Sequence, residues 1–294
     1  MPANSDYKLA SVGRWRLALL SGMWSADLEH EVLTLVDAQP WSKHPQTLVV
    51  RLRQSRSENE FYLKVFHTNS GWSAFKDVFR ISKAFRAWRQ GLALSEAGFD
   101  VPLTIAAGEQ RCCRFLRRAF ILTLKLDGQP GHLFLCRLID RGGEHIANAK
   151  RTGLRKVAGL VRRFHEHGFV HGDLVASNIF VSDPGKAPVF YFMDNDRTRR
   201  YPSWMPQSLW KRNLIQLNRM PLAGITLQDR MRFLRAYLRS QKLTKGQRRL
   251  ARWLERQTRR RRQECDGVDC TGDFRRLMRW SREVSASSNA EKVG

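Results

Sequence analysis

FHEHGFVHGDLVASNIFVSDPGKAPVFYFMDNDRTRR, residues 164–200, is the stretch around which the chain is organised. It holds two apolar, strand-like runs: Ile179-Phe180-Val181 and Val189-Phe190-Tyr191-Phe192-Met193. Ser182-Asp183-Pro184-Gly185-Lys186 separates them. Proline presets φ and glycine accepts positive φ, so this segment predicts a tight turn and the two runs a hairpin. Asn178 directly precedes the first run and Asp194 directly follows the second. A hairpin therefore carries both to one end of a strand pair. Asp173 sits five residues before Asn178, in a loop entered from a helix that ends near His167.

Oxygen-bearing side chains so arranged suit a hard cation and a phosphate. Magnesium takes one or two carboxylates together with substrate phosphates. Phosphoryl transfer needs little covalent help from a protein, but it needs charge neutralisation and a carboxylate that orients the attacking hydroxyl. Asn178 and Asp194 fit the first need and Asp173 the second. Taken singly, each is an ordinary turn or strand-end residue. The chemistry is carried by the set: HGD, Asn at the fifth position, then an apolar strand ending in Asp.

His171-Gly172-Asp173-Leu174 followed by Asn178 resembles the catalytic loop of the protein-kinase-like superfamily. The Gly after the His is typical of its small-molecule, atypical and lipopolysaccharide kinase branches. Met193-Asp194-Asn195-Asp196-Arg197 resembles the metal-binding segment of the lipopolysaccharide kinases, and Trp210-Lys211-Arg212-Asn213-Leu214, with Leu217 behind it, the helix that follows. Over roughly Leu48 to Leu238 the chain is similar to the Kdo/WaaP lipopolysaccharide kinase family.

That resemblance implies a two-lobed, protein-kinase-like α+β fold. A small antiparallel-sheet N-lobe is expected over residues 1–126, with 1–11 loose, and a mainly helical C-lobe over 127–284. Residues 285–294 are expected to be disordered. The implied activity is ATP- and Mg²⁺-dependent phosphorylation of a sugar hydroxyl, on the lipopolysaccharide inner core or a related glycolipid. Asp173 is then the base, and Asn178 and Asp194 the metal ligands. Asp196 either adds a second carboxylate near the metal or fixes Arg197. The His before the Asp props the loop, so His165, His167 and His171 are not read as a metal triad.

Upstream, Glu31–Val36 and Thr47–Leu52 read as strands, and Phe61–Phe66 as a third. Alternation puts Tyr62, Lys64 and Phe66 on one face of that strand and Phe61, Leu63 and Val65 on the other. A lysine within an apolar strand wants an anion. Either Lys64 meets one, or it lies on an edge strand and its stem snorkels to water. FYLKVF resembles the third-strand lysine context of the superfamily, which implies that Lys64 anchors the nucleotide phosphates. Trp15–Leu20 reads as a short helix or strand, with Arg14 and Arg16 beside it.

Two features depart from the family pattern. No glycine lies between Gly22 and Gly71, so no glycine-rich loop covers the phosphates; Ser25 or the turn near Gln39-Pro40 are the candidates to replace it. The helix expected over about Ser73 to Ala97 has Ala87-Trp88 where a glutamate partner for Lys64 would stand. Gly98 and Pro102 end that helix. Leu103–Ala107 and Ala119–Leu126 read as strands, and Lys125-Leu126-Asp127-Gly128 as either an interlobe hinge or a plain hairpin exit. Ile146–His167, Leu209–Arg219, Leu227–Ser240 and Thr244–Gln263 read as helices.

Composition bounds these readings. The apolar content of 42% in 294 residues is that of a chain with a full core. It contains no apolar run of about 18 residues and no clean secretory signal. Five cysteines in a chain this long form no disulfide framework and read as reduced cytosolic thiols. Lys plus Arg is 52 against 27 for Asp plus Glu, a net +25, and such a field attracts polyanions. A lipopolysaccharide precursor or other anionic glycolipid suits it, as does peripheral contact with anionic membrane at the inner face of the inner membrane. Thr244–Gln263, with four consecutive arginines at 259–262, is either a membrane-docking helix or a solvated tail. Charge alone does not set nucleic acid aside, but no zinc finger, RNP-type aromatic pair or capped helix-turn-helix is present. The other rivals are a pseudokinase binding module, and a protein or small-molecule kinase on the same scaffold. Val175 replaces the Lys that protein kinases usually carry two residues after the base.

Overall fold

The computed structural model describes residues 6–40, 46–54, 57–67, 78, 80–140, 144–182, 188–202, 204, 208–219 and 225–266. The chain divides into two compact units: Met1–Asp127 with Tyr191–Thr198, and Gly128–Phe190 with Arg199–Gly294.

The first unit is built on a six-stranded antiparallel sheet. Its strands are β1 (Tyr7–Val12), β2 (Trp15–Leu20), β3 (Gln46–Gln54), β4 (Ser57–His67), β5 (Thr104–Cys112) and β6 (Phe115–Leu124), in the order β1-β2-β5-β6-β4-β3. Successive side chains of a strand point to opposite faces, and each face has its own helix. Leu17, Phe61, Leu63, Val65, Phe120 and Leu122 pack with Leu28, Val32 and Val36 of α1 (Ala26–Ala38). Ala18, Phe66, Ala107 and Ile121 pack with Ala84, Phe85, Trp88 and Leu92 of α2 (Lys83–Glu96). The Trp15 and Phe120 rings meet edge to face at 5.3 Å.

Several expectations are corrected here. Glu31–Val36 is helical, not a strand. Its aliphatic run looks extended in isolation, but Leu28, Val32 and Val36 recur at four-residue intervals on the buried side of α1. Ser25 is the N-cap of that helix, its hydroxyl accepting from Leu28 N–H at 3.2 Å. The N-terminal residues are not loose from Tyr7 onward: β1 pairs with β2 along its whole length, and Tyr7 Oη donates to Thr104 O at 2.5 Å. Trp15–Leu20 is a strand. Helix α2 begins at Lys83, capped by Ser82; residues 68–77, where the expected helix starts, lie outside the described residues. Gly98 ends it at φ +76, a left-handed conformation that favours glycine, with Phe99 N–H donating back to Leu94 O. Beyond β6, Lys125 N–H donates to Glu60 O at 2.9 Å and its ammonium pairs with the Glu60 carboxylate.

The second unit is mainly helical. A small sheet orders β10 (Val189–Phe192), β9 (Ile179–Ser182) and β7 (Gln129–Pro130), the last residues of β10 passing to the first unit. The expected turn at 183–187 lies outside the described residues. The helices are α3 (Gly131–Asp140), α4 (Glu144–Glu166), α5 (Ser208–Leu217), α6 (Leu227–Tyr237) and α7 (Lys245–Asp266). Ala158, Val161 and Phe164 of α4 are fully buried, and Leu214, Leu234, Tyr237 and Leu254 nearly so. The three α4 positions recur every three residues, the period of one helical face. Phe134, Leu154, Val157, Met231 and Leu254 help enclose an apolar cavity of about 170 Å³. No helix among the described residues is long and apolar enough to cross a membrane. The tail at 285–294 lies outside the described residues.

Candidate active site

Lys64 lies on β4, between β3 and β6, opposite Thr47 on one side and Ile121 on the other. It is therefore not an edge-strand lysine. Its ammonium meets Asp194 Oδ1 at 2.5 Å, with the side chains 27% and 44% exposed respectively. The same ammonium lies 5.4 Å from the centroid of the Phe66 ring. A lysine on the apolar sheet has thus found its anion, and no glutamate of α2 supplies it.

Asp194 is held by its neighbours in the chain. Its backbone is left-handed, φ 55 and ψ 51, a region that Asp tolerates better than most residues. A short 3₁₀ turn, Asn195–Arg197, follows. The buried Asn195 side chain donates to Phe192 O at 2.9 Å, and Thr198 N–H donates to Asn195 O at 3.0 Å. Phe192 N–H in turn donates to Asp100 O at 3.0 Å, and the Phe192 ring stands edge-on to Phe99 at 5.9 Å. The segment is thereby fixed to the residues that leave α2. Asp196 is only partly exposed. Burial pushes its carboxyl up, the Asp194 charge adds to this, and Lys64, Arg197 and Arg86 oppose it. Arg86 comes from α2, so the charge that helix offers this segment is positive.

In the second unit, β8 (Phe169–Val170) leads into the HGD loop. His171 is 1% exposed, and its Nδ1 accepts from Asp173 N–H at 3.0 Å. An accepting Nδ1 places the ring proton on Nε2. Asn178 Nδ2 donates to Asp173 O at 2.8 Å, which aims the amide oxygen the other way. Asp173 and Asn178 are therefore brought together, five residues apart, across a turn closed by Val175 N–H to Asp173 O and Asn178 N–H to Val175 O. Leu174, Val175 and Ala176 anchor that turn in the core.

Helix α5 holds the loop from outside. Asn213, fully buried, bonds both polar backbone groups of His171. Gln216 Nε2 donates to Gly172 O at 3.0 Å while its Oε1 accepts from Leu174 N–H at 3.3 Å. Asn213 belongs to the WKRNL segment singled out by resemblance, but its task and that of Gln216 were not legible there. An uncharged polar pair at i, i+3, with Asn213 next to the apolar Leu214, was the available signal. The three histidines do not form a metal triad. His165 lies between Tyr237 Oη (2.9 Å) and Asn213 Oδ1 (3.1 Å), and His167 Nδ1 faces Arg163 O at 2.8 Å. Burial pushes the His165 pKa down to about 4, against a smaller upward push from Asn213.

A lysine paired with an aspartate that follows an apolar strand, and an HGD loop with its asparagine tied back to the aspartate, define a protein-kinase-like phosphotransferase. The sequence profile of the lipopolysaccharide kinase (Kdo/WaaP) family matches residues 49–237, and the chain belongs to that family. It is accordingly a kinase with an alcohol group as acceptor, in lipopolysaccharide biosynthesis. Among solved structures, WaaP in complex with acyl carrier protein matches with a TM-score of 0.61 at 20% identity, over 84% of this chain and 99% of that one. This likeness is one of fold. No curated protein matches the chain.

Proposed function

We propose that the protein transfers the γ-phosphoryl group of ATP, with Mg²⁺, to a sugar hydroxyl of the lipopolysaccharide inner core or a related glycolipid, at the cytoplasmic face of the inner membrane. The observation that carries this reading is the Lys64–Asp194 pair at 2.5 Å, a lysine held ready on a central strand by the carboxylate that the metal would claim. Asp194 and the Asn178 amide oxygen are hard oxygen donors and fit Mg²⁺. Mg²⁺ held by these two residues would supply charge neutralisation for the phosphates. Lys64 would anchor phosphate, and Asp194, its partner in the ion pair, would serve as a carboxylate ligand of the ion. Asp173 accepts the proton of the attacking hydroxyl and orients it. Residues 1–126 and 127–284 would act as the N- and C-lobes of the kinase.

The test is phosphate transfer from labelled ATP to a panel of lipid-linked oligosaccharide, free sugars and generic protein, with and without EDTA. Label in the oligosaccharide alone supports the reading. Label in protein alone overturns it in favour of a protein kinase.

A second reading is favoured by one observation. Helix α2 carries no glutamate toward Lys64, so the chain could bind nucleotide without turning it over. A melting shift with Mg²⁺-ATP but no transfer to any acceptor would establish that pseudokinase. An acyl carrier protein is proposed as a partner from the WaaP complex. The apolar cavity of the second unit is of the chemistry an acyl-bearing partner offers, and co-purification tests the association.

A further inference from the structure

Helix α7 is a three-sided object. Leu254 and Thr258 are buried, with Asn218, the residue that follows α5, donating to Thr258 Oγ1 at 3.3 Å. On the opposite side Lys245, Arg249, Arg252, Arg256 and Arg260 are exposed. They recur at three- and four-residue intervals, which on a helix makes a single row about 22 Å long. Trp253 stands at the edge of this row, 37% exposed, with the Lys211 ammonium 5.7 Å from its ring centroid. Glu255 is the one acid between Lys245 and Arg262. It pairs with Arg259 at 2.9 Å, on the flank of the row.

We propose that this row is a docking surface for an anionic phospholipid bilayer, with Trp253 entering the headgroup layer. A straight row on a convex helix matches a plane of phosphates, and a rim tryptophan has the apolar body and polar tip that suit the bilayer interface. A nucleic-acid site would instead want a groove to track the backbone or aromatic platforms for stacking. Each guanidinium is a planar fork that pairs phosphate oxygens two at a time. The surface gives the proposed glycolipid kinase its place at a membrane and rests on that reading for its purpose. Vesicle binding itself succeeds or fails independently of phosphoryl transfer.

The experiment sediments the full-length protein, without nucleotide or acceptor, with vesicles of phosphatidylcholine alone or with added phosphatidylglycerol. Binding is expected on the anionic vesicles only, to weaken with salt, and to fall about 100-fold in the Arg249→Gln/Arg252→Gln/Arg256→Gln variant at an unchanged melting temperature. Should the triple variant melt early, Arg256→Gln alone is expected to lose about fivefold. Equal binding by wild type and variants overturns the proposal, as does equal binding to neutral vesicles. Displacement of the protein from anionic vesicles by homopolymeric RNA through the same arginines would reassign the row to nucleic acid.

Discussion

Asn213 holds His171 by both of its backbone polar groups: Oδ1 accepts the His171 N–H at 2.9 Å, and Nδ2 donates to the His171 carbonyl at 2.5 Å. The same amide takes His165 Nε2 at 3.1 Å and Gln216 Oε1 at 2.9 Å, so its orientation is fixed from four sides. Asn213→Ala removes both of these buried hydrogen bonds, at about 1–3 kcal/mol, and lets the HGD loop drift. A displacement near 1 Å costs about 10²-fold in rate. We expect kcat to fall by that order with a lowered melting temperature, and Gln216→Ala to show a smaller loss of both. Unchanged kcat in Asn213→Ala would deny the loop this support.

Asp173→Ala separates chemistry from folding. Its side chain is credited with proton acceptance, so removing it should cost about 10²–10⁴ in kcat. The Asn178 bond to this residue goes to the Asp173 backbone carbonyl and survives the substitution. Melting temperature and Mg²⁺-ATP binding should therefore stay near wild type. Full activity in this variant removes Asp173 from the reaction.

The Lys64–Asp194 pair predicts a dissociation between stability and binding. Both side chains are partly exposed, so the pair contributes at most about 1 kcal/mol to folding. Lys64→Ala should melt within a few degrees of wild type, yet lose the melting shift that Mg²⁺-ATP gives the parent. Asp194→Ala should lose the Mg²⁺ dependence of that shift. A large drop in the stability of the unliganded Lys64→Ala protein would make the lysine a structural residue.

His165 makes the protein acid-sensitive. Its pKa is near 4 in the folded state, against an ordinary value near 6.5. The unfolded chain then binds the extra proton first as pH falls, so stability is full above about 6.5 and declines as pH drops toward 4. The loss over that window is on the order of 3 kcal/mol. Denaturant melts at pH 7 and pH 5 should show it, and His165→Gln should flatten the difference. An equal acid loss in that variant would move the effect elsewhere.

What was legible in the sequence were residues whose neighbours alone define their place. HGD with its following Asn, and the apolar run into Asp194, need only strand and turn rules. Lys64 was readable because a lysine in FYLKVF demands an anion, although the identity of that anion was not. Glu31–Val36 misled because six aliphatic-rich residues fit either period, and the buried positions of α1 span Leu28 to Val36. Strand order was illegible for another reason. The insertion of β5 and β6 between β2 and β4 is decided by packing on α1 and α2, which no local pattern records. The duties of Asn213 and Gln216 depend on a loop some forty residues earlier in the chain, beyond any window of periodicity.

Gly168 sits at φ +80, and a β-carbon there would come within 2.3 Å of the Tyr201 carbonyl oxygen. Its own carbonyl accepts the Tyr201 N–H at 2.7 Å, beside the short pairing of β8 with β11 (Arg199–Arg200). A missing methyl group thus sets how closely the polypeptide that follows the Asn195–Arg197 turn can lie against the strand that launches the HGD turn. In a saturation library selected for activity, this codon should be among the least forgiving in the gene, with even alanine eliminated, although the residue touches no reactant.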